Sequence, residues 1–150
     1  MKGKFLFLFC AFFLFINLVS AIDLDVSSKP VEKTIITEFD NSAVFDLTIR
    51  NLGSSGNFEI YSLIGVDISP SEFFVDSGES VSLRIEAKPL DTVIDNNKGL
   101  FTFEYKIKAE DNSVQQEKLT VFIVDLGDAF SVSVDNINPG SLQTSINVEN

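Results

Sequence analysis

Apolar and polar residues alternate with a period of two along most of this chain, the spacing that sets one face of a β-strand against a core and the other in water. In "AVFDLTIRN" Phe45, Leu47 and Ile49 share one face, and Asp46, Thr48 and Arg50 the other. "LGSSG" reads as a turn in which Gly53 and Gly56 supply positive φ. "NFEIYSLI" then carries Phe58 and Ile60 inward, and Phe73 and Val75 follow beyond Pro70. After the turn "DSGE" come the inward rows Val81, Leu83, Ile85, Ala87 and Phe101, Phe103, Tyr105, Ile107. "EDNS" turns the chain once more into Leu119, Val121 and Ile123. No stretch of helical length carries a helical stripe. With "IDLDV" and "VEKTIITEF" in front, this makes about seven strands with turn signals every 8–12 residues or so, which predicts an all-β, antiparallel, two-sheet sandwich over residues 22–125. An up-and-down barrel is the alternative closure that the pattern leaves open.

The ends of the chain depart from that pattern. Lys2 and Lys4 precede a run of about fifteen mostly apolar residues, Phe5 to Val19, and Val19-Ser20-Ala21 places small residues where a signal peptidase reads. The run is shorter than the roughly 20 residues of a spanning helix, so residues 1–21 are expected to be a helical signal peptide cleaved after Ala21. At the other end, 126–128 reads as a linker. Residues 129–150 begin a new alternation, with Phe130, Val132 and Val134 in one row and Ile146 and Val148 in another. "FSVSVDNINP…TSINVEN" parallels "IDLDVSSKP…FDLTIRN", so the tail reads as a second, incomplete repeat. It is either the front of a further module or a segment that pairs with another chain.

Composition narrows the chemistry. The one Cys, Cys10, lies in the leader, so an exported chain would have no disulfides and must be held by burial. Loss of Lys2 and Lys4, with no acid lost beside them, takes the net charge from −11 to −13. A chain so acidic is repelled by phosphate backbones and anionic lipids, so no nucleic-acid partner is expected. Membrane contact is expected only through an uncleaved leader or a downstream anchor.

Several stretches together resemble a known family. "F-x-L-x-I-x-N" at Phe45–Asn51, "SPSEFFVDSGES" at Ser69–Ser80, "VSLRIEAKP", and "KGLFTFEYKI" at Lys98–Ile107 are similar to the immunoglobulin-like repeat modules of prokaryotic secreted and surface proteins. The likeness is to the NEW3-type domains found beside glycosidases and in archaeal envelope proteins. Pro89 and Gly99 stand where that family has its proline and strand-opening glycine. The resemblance implies a seven-stranded immunoglobulin-like β-sandwich that is non-catalytic, a spacer or an adhesive unit.

The residues agree with a non-enzyme. Without His or mature Cys no Ser-His-Asp triad, Cys-His pair or thiolate or imidazole zinc site can form. Acids such as Asp46, Glu86 and Glu104 fall on solvent-facing positions. The Gly78 turn resembles a phosphate cradle in miniature but lacks its second glycine, lysine and helix, so it reads as a strand corner. No cofactor is expected. The cation candidates are for calcium, which needs only oxygens: Asp91, Asp95 and Asn96 in "DTVIDNNKG", and Asp23 and Asp25 in "DLD". Tyr61 and Leu63, with Phe122 and Val124, lie opposite the inward rows of their strands; in a shared sheet they would form one apolar contact patch. The expectation is a non-catalytic structural or spacer module of an exported cell-surface protein, in contact with neighbouring immunoglobulin-like domains or other surface proteins. The alternatives are an adhesion module for protein or glycan, disfavoured for glycan by the lack of Trp, and an envelope subunit or chaperone exchanging a strand through 129–150.

Overall fold

The structure is a computed structural model that describes residues 22–134 and 146–149, the segments 131–134 and 146–149 through their backbone. The expected leader, residues 1–21 with Cys10, lies outside the described residues, as do 135–145 and Asn150 of the tail. In chain order the strands are β1 (Leu24–Glu32), β2 (Thr34–Ile36), β3 (Ala43–Asn51), β4 (Gly56–Tyr61), β5 (Val66–Ser69), β6 (Glu72–Val75) and β7 (Ser80–Pro89). A short helix, α1 (Asp91–Asn96), leads to β8 (Gly99–Ala109) and β9 (Val114–Val124). A helical turn, α2 (Leu126–Ala129), then leads to β10 (Ser131–Val134) and β11 (Ile146–Glu149).

Two sheets face each other. One has the order β1-β3-β7-β5, the other β2-β9-β8-β4-β6. In immunoglobulin lettering these are A-B-E-D and G-F-C, with a second piece of strand D (β6) added at one edge and a second piece of strand A (β2) at the other. The fold is therefore an immunoglobulin-like sandwich by its own topology.

The alternating rows are what hold it. Phe45, Leu47, Ile49, Ile85 and Ala87 of one sheet meet Phe58, Ile60, Phe103, Tyr105, Ile107, Leu119, Val121 and Ile123 of the other in one buried cluster. Phe58 and Phe73 stack with centroids 5.5 Å apart. Each buried Ile, Leu or Phe contributes about 1.5–3 kcal/mol relative to exposure. Val81, Leu83 and Phe101 are half-buried where the rows run out toward the sandwich ends.

The sheets hold nine strand segments where seven strands were expected. "VEKTIITEF" does not form one strand: β1 pairs with β3 as far as Glu32, with a register shift between Pro30 and Glu32. The chain then crosses to run β2 parallel to β9. Pro30 is tolerated because β1 is an edge. The other additional strand is β5, which pairs with β7 before the chain crosses at Ser69-Pro70 to β6. The "LGSSG" turn also differs from expectation. Among the described glycines positive φ occurs at Gly65, Gly78 and Gly99, not at Gly53 or Gly56, because the "LGSSG" turn is set by a side chain.

Candidate functional site

That side chain is Asn51, the fourth residue of the row Phe45, Leu47, Ile49. It is 1% exposed. Its Nδ2 donates to Ser54 O at 2.7 Å and Val75 O at 3.1 Å, and its Oδ1 accepts from Gly53 N–H at 2.9 Å. Its backbone N–H donates to Glu79 O, and its carbonyl accepts from Gly78 N–H. Ser77 adds two bonds between the same turns, its N–H donating to Ser55 Oγ and its hydroxyl to Gly53 O. One amide thus fastens the β3–β4 turn to the β6–β7 turn, each buried polar atom being satisfied inside the protein.

Beside this knot, at the end of the sandwich farthest from the exit of β9, lies an open cavity of about 300 Å³. Ile22, Phe58 and Ala109 line it with apolar surface, and Asp23, Glu110 and Asp111 with acid. Its polar groups are engaged. Asn57 Nδ2 donates to Glu110 Oε1 at 2.6 Å. The Ser113 hydroxyl and N–H both donate to Asp111, which holds that carboxyl below the usual range.

The outer sheet faces are polar ladders. Asp46 stands opposite Arg84, Glu104 opposite Lys118, and Glu59 opposite Lys108 in the pairing register. Asp46 and Arg84 form a two-point bond (2.8 and 3.1 Å) that lowers the pKa of Asp46. The Thr102 and Thr120 hydroxyls bond across β8 and β9 at 2.8 Å. Among the described residues every carboxyl whose pKa moves, Glu38, Asp46, Asp111 and Asp125, moves down, each bonded to donors that favour its charged form.

The four expected patch residues are not brought together. β4 and β9 do share a sheet, but β8 lies between them. Tyr61 is in register with Lys106 and Phe122 with Leu100, six residues apart on β8, or about 20 Å. Val124 is 7% exposed beside β2, and Leu63 lies past the end of β4 in the β4–β5 loop. What Phe122 does adjoin is Leu100, directly opposite and 73% exposed. The calcium candidates fall in two separate places. Asp91, Asp95 and Asn96 sit on α1, where the Asn96 amide donates to Thr92 O. Asp25 lies opposite Arg50 on β1, and Asp23 is exposed before that strand. Among the described residues no three acidic side chains are grouped to hold a metal.

Two features escaped sequence reading. At the exit of β9, Asp125 Oδ1 accepts from Thr37 Oγ1 at 2.7 Å and Lys98 Nζ at 2.5 Å, while Leu126 N–H donates to Glu38 Oε2 at 2.8 Å. Lys98 and then Thr37 hold the Asp125 carboxyl below its usual range. No local pattern marks these partners, which come from three separate segments. The second feature is the edge of β9. β2 pairs with it only at Phe122–Val124, leaving the stretch from Val114 to Val121 without a sheet neighbour on that side among the described residues. Gln115 and Glu117 continue the inward row of Leu119 and Val121, and Gln115 Nε2 donates to Leu24 O and Glu117 Oε1. Inward-set polar groups of this kind discourage edge-to-edge pairing. The break from apolar to polar within one row was the available signal.

No family model matches the chain, and no curated protein matches it in sequence. Among solved structures it is similar to the ASH/PapD-like domain of human CEP192 (PapD-like domain 7), with 13% identity, a TM-score of 0.43, and coverage of 69% of this chain and 87% of that one. It is also similar to a conjugate transposon protein from Bacteroides vulgatus, with 15% identity, a TM-score of 0.37, and coverage of 74% and 92%.

Proposed function

We propose that this chain is a non-catalytic structural module, a spacer exported to the cell surface that holds the segment after it at a set distance and angle. The observation that carries this reading is the tethered exit. Asp125 and Leu126 are bonded back to Thr37, Lys98 and Glu38, and Phe130 alone separates α2 from β10. A chain passed on in this way has little free linker to swing on. Polar, cross-strand-paired outer faces and a fully satisfied Asn51 knot suit a unit whose work is shape. The downward-shifted carboxyls supply no proton donor at neutral pH. The surface location rests on the leader pattern of residues 1–21.

Two measurements test the reading. The exported protein should begin at Ile22, by N-terminal sequencing. Cysteines placed at Glu59 and Ser133 of this otherwise Cys-free mature chain can carry spin labels. A narrow distance distribution is the expected result, and one as broad as a flexible linker would end the spacer reading.

A further inference from the structure

The exported chain would begin at Ile22, and the fold fixes where that residue lies. Leu24, two residues on, is buried, and its carbonyl accepts from Gln115 Nε2 at 3.0 Å. The Asp23 carbonyl accepts from Leu52 N–H at 2.8 Å. The Ile22 side chain packs against the core cluster. Its backbone nitrogen is thus one residue, about 3.8 Å of chain, from an anchored point.

That nitrogen belongs to the rim of the open cavity of about 300 Å³ that Ile22 helps to line. Asp23, Glu110 and Asp111 bring three carboxylates to the same walls, and no lysine or arginine joins them among the described residues. Neutral donors meet two of these acids. Asn57 Nδ2 bonds to Glu110, and the Ser113 hydroxyl and N–H bond to Asp111. Such bonds satisfy oxygens but leave the charges without a counterion. Glu59, Glu72 and Lys108 lie in the adjoining recess, where Lys108 stands opposite Glu59 and 4.0 Å from its carboxylate. The cavity's own charge therefore calls for a cation on an apolar stem, seated between these acids and the apolar surface of Phe58 and Ala109. In the precursor the Ile22 nitrogen is a neutral peptide N–H. Hydrolysis of the Ala21–Ile22 bond consumes one water, leaves a carboxylate on Ala21 and turns that nitrogen into an amine. With an ordinary pKa of about 8, the amine takes a proton at neutral pH.

We infer that removal of the leader supplies this cavity with its cation: the new Ile22 α-ammonium pairs with the carboxylates of Glu110 and Asp111 and pins the start of β1 to the β8–β9 turn. The inference rests on the exported reading, since only a processed chain carries that amine. An NMR titration of the Ile22 Cα and Cβ shifts, in the chain whose start at Ile22 is verified by mass, tests it. The amine should titrate at least about half a unit above its ordinary value near 8. In Glu110→Gln/Asp111→Asn, whose amides keep acceptors for Asn57 and Ser113, at least about half of that rise should be lost, with β3 and β7 amide shifts unchanged as proof of folding. Glu86→Gln, exposed on β7 opposite Val44, should leave the rise intact. A smaller rise in the wild type overturns the pairing, and so does a full rise that the double variant retains. N-terminal sequencing tests the leader separately. If export does not cut at Ala21, a chain released at Ile22 from a cleavable tag still decides the pairing, so either reading can fail while the other stands.

Discussion

Replacing Asn51 by Ala should be among the most destabilising changes of a polar residue in this chain, because its one amide serves both turns. The substitution strips partners from Val75 O, Ser54 O and Gly53 N–H at once. The Val75 bond is buried, so its orphaned carbonyl costs about 1–3 kcal/mol. The other two are part-buried and water can replace the amide, at about 0.5–1 kcal/mol each. The sum is about 3 kcal/mol. A domain of roughly 110 residues has an unfolding entropy near 0.23 kcal/mol per degree, so the melting temperature should drop by about 13 °C. Circular dichroism melts at pH 7 measure it. Asn51→Asp should be worse, because it keeps an acceptor for Gly53 but turns oxygens toward two carbonyls and buries a charge. Its deficit should shrink as pH falls, since the buried carboxyl's raised pKa restores a neutral, donating form. If Asn51→Ala melts within about 4 °C of wild type (under 1 kcal/mol), the amide does not fasten the two turns.

Further outcomes follow from the same geometry. Gly65 and Gly78 both have positive φ (+75° and +78°), but a Cβ at Gly65 would sit 3.0 Å from Val93 Cγ2 whereas one at Gly78 meets nothing; Gly65→Ala should therefore cost about 1 kcal/mol more than Gly78→Ala in urea unfolding, and equal midpoints would refute the contact. Asp125 and Glu38 have depressed folded pKa values, so the exit tether they make is at full strength above the unfolded carboxyl range near 4 and is lost as pH falls through the lower folded values. The Leu126 amide, bonded to Glu38, should accordingly titrate with a midpoint below the ordinary glutamate value of about 4.3, and a midpoint at or above that value would contradict the bond. Leu47→Ala, in the fully buried row, should cost about 2–5 kcal/mol, while Leu100→Ala on the outer face should stay within about 0.5 kcal/mol in sandwich stability; denaturant titrations separate them.

Residue order alone determined which faces are buried, because alternation is local: a strand's side chains change sides at every step whatever the strand pairs with. Hence Phe45, Leu47 and Ile49, and likewise Phe103, Tyr105 and Ile107, are in the core as the rows require. Gly78 turns the chain between β6 and β7 as expected, and does so with positive φ. Tertiary structure decided everything that depends on which strand lies beside which. Tyr61 and Phe122 share a sheet but not a patch, since β8 intervenes and the register separates them. Val124 has the outward parity of Phe122 yet is buried, because the chain after Glu32 changes sheets and runs beside it as β2. The Asn51 knot and the Asp125 tether join segments 24 and 88 residues apart. Such bonds depend on where the sheets bring the turns together, a long-range outcome of closing the core that no window of sequence contains.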